Sequence, residues 1–259
     1  MYTRLLTSNK NGSIMDLLQT GRADMRYRHI VEGVFLDRPN RFVAVVDING
    51  EKTVVHVKNT GRCRELLVRG CTVYLERSEN PSRKTPYDLV AVVKQTDRGD
   101  LLINMDSNAP NDAVAEWLPS SDLFSPDAVF RREVTHKNSR FDFYVEDRER
   151  RAFVEVKGVT LESDGAASFP DAPTERGVKH IGELVECVSE GYEAYVVFVI
   201  QMKGVSVFRP NDSTHRQFGD ALRLAEQKGV KIIAVDCRVT LETMEIDGRV
   251  IIDLDTKEE

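Results

Sequence analysis

No apolar run in these 259 residues approaches the roughly 20 that a membrane helix needs. The N-terminus lacks the apolar stretch of a secretory signal. Cysteine is scarce: Cys63, Cys71, Cys187 and Cys237 stand far apart, with no CxxC and no histidine pairing beside them. That spacing argues against a zinc site or a disulfide frame and suits reduced thiols in the cytoplasm. No glycine-rich phosphate loop or dinucleotide-binding fingerprint occurs, which argues against a nucleoside triphosphatase or a dehydrogenase. GxSxG is absent too, and no serine has an evident histidine and acid retinue in sequence. Basic charge is not in excess. The net charge of −6 argues against a nucleic-acid coating protein but leaves room for a local basic groove, because distribution decides that. What is there is globular: 41% hydrophobic residues with 30% charged, in a length that suits one large or two ordinary domains.

The chain divides into three stretches. Residues 1–29 form a polar extension, with a loop at 9–13 and a short helix starting at 14–18. Its Arg22, Arg26, Arg28 and His29 read as a solvated basic arm or as phosphate contacts. Residues 30–106 read as short strands at 30–37, 42–48, 52–58, 71–76, 87–94 and 100–105, with one helical turn after the third. Asn49-Gly50 between two strand-like runs is the strongest short hairpin signal. This pattern predicts an OB-like β-barrel. Such barrels often bind single strands through a basic groove with aromatic platforms, and Arg41, Phe42, His56, Lys58, Arg62, Arg64, Arg83, Lys84 and Tyr87 supply that chemistry. Phe42 suits a core position better, and a plain packing module is the competing reading.

Residues 107–259 change period. Pro110 opens a helix at 111–118 and Pro119 stops it. Strands are expected at 129–136, 139–146 and 152–157, then a long loop at 158–173. Thr174 caps a helix running to 189, whose buried stripe is Val178, Ile181, Val185 and Val188, with Arg176, His180 and Glu183 on a second stripe. The near-continuous apolar run 195–202 is a central strand. A helix at 214–228, a strand at 230–236 and a last pair, 239–246 and 249–254, turning at Asp247-Gly248, complete an α/β (α+β) domain with a mixed sheet.

The sharpest constellation lies in its second and third strands, Ser139-Arg140-Phe141-Asp142-Phe143 and Phe153-Val154-Glu155-Val156-Lys157. Alternation puts Glu155 and Lys157 on one face. A hairpin symmetric about Arg148–Glu149 sets Asp142 opposite Glu155, with Cβ atoms only ~4.5–5.5 Å apart. Two carboxylates that close repel unless a proton or a cation lies between them, and Mg²⁺ takes carboxylates plus substrate phosphate. Charged residues on strands also arise as solvated faces, so the tripeptide Glu155-Val156-Lys157 alone proves little.

Several stretches together resemble the sugar fermentation stimulation protein A family. They are His56-Val57-Lys58-Asn59-Thr60-Gly61-Arg62-Cys63, Arg83-Lys84-Thr85, Ser139-Arg140-Phe141-Asp142-Phe143, Glu155-Val156-Lys157, and Phe169-Pro170-Asp171-Ala172-Pro173-Thr174-Glu175-Arg176-Gly177 with Lys179-His180. The likeness runs from about residue 30 to 236. It implies an N-terminal OB-like barrel at 30–106 and, at 107–259, a restriction-endonuclease-like αβββαβ domain of the PD-(D/E)xK nuclease type. It further implies non-sequence-specific DNA binding, with RNA left open, and a link to the regulation of sugar metabolism. By this resemblance Asp142, Glu155 and Lys157 occupy the catalytic positions, and Asp142 and Glu155 hold Mg²⁺ or Mn²⁺ with Glu116 as a further ligand. Glu116 reads equally well as a helix-surface acid, and Glu133 is a weaker candidate. The proline that names the motif is absent, since Phe141 precedes Asp142. Lys58, Arg62, Arg64, Arg83, Lys84, Arg140, Arg176, Lys179 and His180 are the expected nucleic-acid contacts, with a general-base or structural role for His180 also open. Three functions compete: a metal-dependent nuclease, a DNA-binding regulator of sugar (maltose) metabolism with an inactive core, and a metabolite-binding barrel. An edge strand near the C-terminus leaves a homodimer open.

Overall fold

The computed structural model describes residues 25–255. The loop expected at 9–13, the helix start at 14–18 and Arg22 lie outside them.

Six strands open the described chain: β1 (Ile30–Asn40), β2 (Val43–Ile48), β3 (Glu51–Val57), β4 (Thr72–Arg77), β5 (Tyr87–Thr96) and β6 (Gly99–Asn104). Period-2 patterning drives them inward on one side: in β2, Ala44, Val46 and Ile48 are buried while their neighbours are half-exposed. Asn49 and Gly50 both take positive φ, the geometry of a two-residue turn whose twist matches its strands. Strand order is β3-β2-β1-β4-β5-β6, and β3 also pairs in parallel with β5 through His56↔Asp88 and Val57↔Leu89. That extra ladder closes the first five strands into the OB-type barrel, with β6 laid along β5.

After the barrel come α1 (Ala109–Trp117), a 3₁₀ turn (Leu118–Ser120) and the strands β7 (Val129–His136), β8 (Ser139–Asp147) and β9 (Arg150–Val159). Next are β10 (Leu161–Ser163), β11 (Ala166–Phe169), α2 (Glu175–Ser189), β12 (Glu193–Ile200), β13 (Val207–Pro210), α3 (Asp212–Gln227), β14 (Lys231–Val239), β15 (Met244–Arg249) and β16 (Ile251–Ile252). The main sheet has the order β15-β14-β12-β9-β8-β7. It is mixed: β12 runs parallel to both β9 and β14, and the flanking pairs are antiparallel. Buried on both faces, β12 reads as the continuous apolar run that a central parallel strand requires. One face packs Ala113 and Val114 of α1 on Val154, Val156 and Val197. The other packs Ile181 and Leu184 of α2 and Phe218 of α3 on Phe153 and Phe198. Thr174 caps α2, its hydroxyl accepting from the Gly177 amide at 3.0 Å.

Two local readings are corrected. The stretch 158–173 is not an open loop: β10 and β11 pair across an Asp164-Gly165 turn with positive φ at both residues. Strands of three and four residues are too short to show a period. The last hairpin turns at 240–243, not at Asp247-Gly248. Thr240 closes that turn, its hydroxyl accepting from the Thr243 and Glu242 amides. Asp247 and Gly248 lie inside β15, where Lys203 bonds both Asp236 and Asp247.

Candidate functional site

The β8–β9 ladder runs from Asp147↔Arg150 to Phe143↔Val154, and in that register the next pair is Asp142 and Glu155. The ladder stops there. On the other flank, Glu133 drops out of the β7–β8 ladder between Arg132↔Phe143 and Val134↔Phe141. Glu133 carries φ of 55°, a left-handed conformation that costs a non-glycine residue roughly 1–2 kcal/mol. The strand turns over at this point: Phe141 belongs to the core under α2, Phe143 to the core under α1. The opening frees an amide of β9, and the Val156 N–H donates to Asp142 Oδ2 at 2.7 Å. Asp142 Oδ1 accepts from Asn111 Nδ2 at 2.8 Å.

Glu155 is 3% exposed. Its Oε1 accepts from Lys157 Nζ at 2.5 Å and pairs with His180 Nδ1. Its Oε2 is buried with no hydrogen-bond partner. Arg176 Nε donates to His180 Nε2 at 3.3 Å, which selects the tautomer with its proton on Nδ1. The two acids are driven apart electrostatically. Burial, and then the Glu155 charge, raise the Asp142 carboxyl above the usual range. Burial would raise Glu155 as well, but the His180 hydrogen bond and the Lys157 ammonium outweigh it and hold that carboxyl low. An acceptor buried without a donor is uncommon and asks for a ligand. Two carboxylates with one orphaned oxygen between sheet and helix fit a hard cation completed by water and phosphate oxygens.

A third acid does not join them. Among the described residues no group of three or more histidine, cysteine or acidic side chains is arranged to hold a metal ion. Glu116, the expected further ligand, accepts from the Met25 amide at 2.7 Å. It stands five residues beyond Asn111, hence about 140° further round a helix that turns ~100° per residue. Asn111, not Glu116, is the α1 residue on Asp142, and no local signal marks it, because the contact depends on how α1 docks. Glu133, the weaker candidate, meets Arg140 at 3.5 Å on the surface.

The expected basic contacts divide. Lys58 lies 2.6 Å from Asp106. Arg83 makes two bonds to Asp88, which also meets His56 Nδ1 at 2.8 Å. These are internal pairs, not an open cationic face: Asp88 and Asp106 are buried and need them. Burial would raise the Asp88 carboxyl, but Arg83 and His56 donate to it and Lys58 adds its charge, so it is lowered. His180, expected on phosphate, is 6% exposed and engaged with Glu155. Arg62, Arg64, Lys84, Arg140, Arg176 and Lys179 are exposed. Phe42, assigned to the core from sequence, is 46% exposed with the Arg41 guanidinium 4.8 Å from its ring centre.

Two of the motif stretches, through residues 59–61 and 169–174, meet at a cleft of about 360 Å³, lined by Arg41, Thr60 and Gly61 on one side and Gly158, Pro170 and Asp171 on the other. Gly158 follows Lys157 in β9, but neither acid nor Lys157 itself lines the cleft. A side chain at Gly61 would put its Cβ 2.2 Å from Asp171 Oδ2, which is why glycine stands there. Arg38 shapes the loop, donating to the carbonyls of Asn59, Gly61, Arg62 and Arg41.

Comparison with known proteins agrees with this architecture. A family model for the N-terminal OB domain of SfsA matches residues 36–104, and one for the sugar fermentation stimulation protein RE domain matches residues 108–243. The sugar fermentation stimulation protein homolog of Clostridium beijerinckii is 53% identical over 222 residues, 86% of this chain and 96% of its own length. That of Ruminiclostridium cellulolyticum is 54% identical over 226 residues, 87% of this chain and 98% of its own. The structure of Pyrococcus furiosus SfsA in complex with Ca²⁺ superposes with a TM-score of 0.76 at 26% identity, covering 89% of this chain and 99% of that one. With an OB barrel and an RE domain in the same order and about half of its residues shared with these relatives, the chain belongs to the sugar fermentation stimulation protein family.

Proposed function

We propose that this protein is a divalent-metal-dependent phosphodiesterase that acts on DNA without sequence preference. The observation that carries the reading is the orphaned Oε2 of buried Glu155, in a strand fork that also holds Asp142 and Lys157. Asp142 and Glu155 would hold Mg²⁺ or Mn²⁺. When bound, the ion supplies Lewis acidity toward a phosphate oxygen and makes water a stronger acid. Lys157 brings an ammonium to the same point, where it orients the attacking water or stabilises charge building on the phosphate. Exposed Arg41, Arg62 and Arg176 would supply phosphate contacts, Arg41 from the cleft that Gly158 of the site strand also lines. A relative in complex with Ca²⁺, another hard oxygen-seeking cation, supports the choice of metal class. The widely spaced free thiols suit a cytoplasmic protein.

The test is cleavage of labelled single- and double-stranded DNA, with RNA beside them, in Mg²⁺, Mn²⁺ or EDTA. Wild type should cut only with metal, and Asp142→Ala and Lys157→Ala should each lose about 10²-fold or more in rate. A second reading, a DNA-binding regulator of sugar metabolism with an inactive core, is favoured by the count of two acids where a third was expected. It predicts binding that weakens steeply with salt and no cutting under any metal.

A further inference from the structure

Both acids of the proposed site take hydrogen bonds from side chains on helices, and the two helices come from opposite faces of the sheet. We infer that Asn111 of α1 and His180 of α2 are positioning residues, which decide the carboxylate oxygens presented to the cation. This rests on the metal-site reading above.

The argument is a count of lone pairs. An ionised carboxylate has about four acceptor positions. On Glu155, Lys157 and His180 both occupy Oε1, and Oε2 has no donor at all. Rotation about the last side-chain bond would swing the plane of the carboxylate. Lys157 alone does not prevent it, because a lysine ammonium is a mobile point charge on a flexible stem. His180 does: its ring is buried, and its far nitrogen accepts from Arg176. The plane is therefore fixed, with both donors on Oε1 and none on Oε2.

Asp142 is held differently. Each oxygen takes one donor, Oδ2 from the Val156 amide and Oδ1 from Asn111. The amide belongs to the strand and cannot move without it. Asn111 is the side chain that sets the plane of the carboxylate about that anchor. With its proton on Nδ1, His180 donates to Glu155 from one face of the sheet, as Asn111 donates to Asp142 from the other. Partners of this kind behind a metal ligand are typically worth 10–100-fold in metal affinity.

The test is calorimetric titration of Mn²⁺ into the full chain, with circular dichroism confirming the fold of each variant. Asn111→Ala and His180→Ala should bind about 10–100-fold more weakly than wild type. His180→Asn, whose amide N–H can stand where the imidazole Nδ1–H stands, should recover most of the loss. Asn111 is only half-buried, so its variant, with His180→Asn, carries the test if His180→Ala does not fold. Wild-type binding abolished by Glu155→Ala but unchanged in Asn111→Ala and His180→Ala would overturn the positioning roles and leave the metal site standing. No Mn²⁺ binding by wild type would bring down the metal site, and the positioning roles with it.

Discussion

Glu155 and Glu193 lie in neighbouring strands of one sheet and are treated in opposite ways. Glu193 accepts from Arg150 on both oxygens, at 2.7 and 2.8 Å, and from Lys231 and Tyr195 on Oε2. Every polar atom there is answered, which marks an acid that holds structure. Glu155 keeps one buried oxygen without a protein donor. The contrast is testable through pH. The Arg150 hydrogen bonds, against the opposing effect of burial, hold the Glu193 carboxyl well below the ordinary glutamate range. A folded-state pKa below the unfolded one gives stability that is complete above the unfolded value, about 4.3, and is lost as pH falls toward the folded value. Glu193→Gln should therefore cost about 1–3 kcal/mol at pH 7, with the gap to wild type closing below pH ~4. Urea denaturation of both proteins between pH 3 and 8 measures it; a gap that does not change with pH would mean Glu193 is not held as its carboxylate.

At the scale of the element, the site is a consequence of how β8 and β9 part. A hairpin laddered throughout would spend the Val156 amide on β8 backbone. The fork gives it to Asp142 instead. Beyond the fork β9 continues to Gly158, where it is gripped from two sides. A Cβ there would stand 2.6 Å from Gln201 Oε1 and 2.8 Å from Pro110 Cγ. Pro110 opens α1 and Gln201 follows β12, so Gly158 is where the site strand, α1 and the central strand close on one another. Gly158→Ala must push one of them aside and should destabilise the protein by about 1–3 kcal/mol. Because Asn111 is next to Pro110, the same change should slow any metal-dependent cleavage more than it lowers DNA binding. A filter-binding assay beside the cleavage assay separates the two.

On the scale of the whole molecule, barrel and α/β domain share one core. Val46 and Leu75 of the barrel fall in the same contiguous cluster as Ile181, Phe198 and Phe218. Polar links reinforce the joint. Lys94 of β5 reaches both the carboxylate and the backbone carbonyl of Glu162 in β10 at 2.5 Å, and Gln201 Nε2 donates to Asn104 and Asp106. Tryptophan fluorescence from Trp117 and far-UV circular dichroism should therefore report one superimposable unfolding transition rather than two. The Lys94–Glu162 pair is largely buried. Lys94→Ala leaves the buried Glu162 carboxylate without its counter-charge, with only the Gly165 amide on it, and should cost about 3–5 kcal/mol, whereas replacing both residues by methionine should cost less. Thermal denaturation of the single and double variants decides it.

By itself the sequence determined whatever depends on near neighbours. Period-2 alternation and the turn at Arg148–Glu149 set Asp142 in register with Glu155 and put Lys157 on the same side as Glu155. Asn49-Gly50 made its hairpin, and Thr174 capped its helix. Each of these is decided within a few residues by backbone geometry. Only the tertiary structure decided which groups meet across the chain. Asn111 reached Asp142 and Glu116 did not, because the docked face of α1 chooses between positions about 140° apart. Lys58 and Arg83 went to Asp88 and Asp106, and His180 went inward to Glu155, because buried carboxylates must be paired and the nearest donors were drawn to them. A basic residue in sequence shows that a charge is available. Whether it faces solvent or an internal acid is settled by burial, which exists only once the layers have packed.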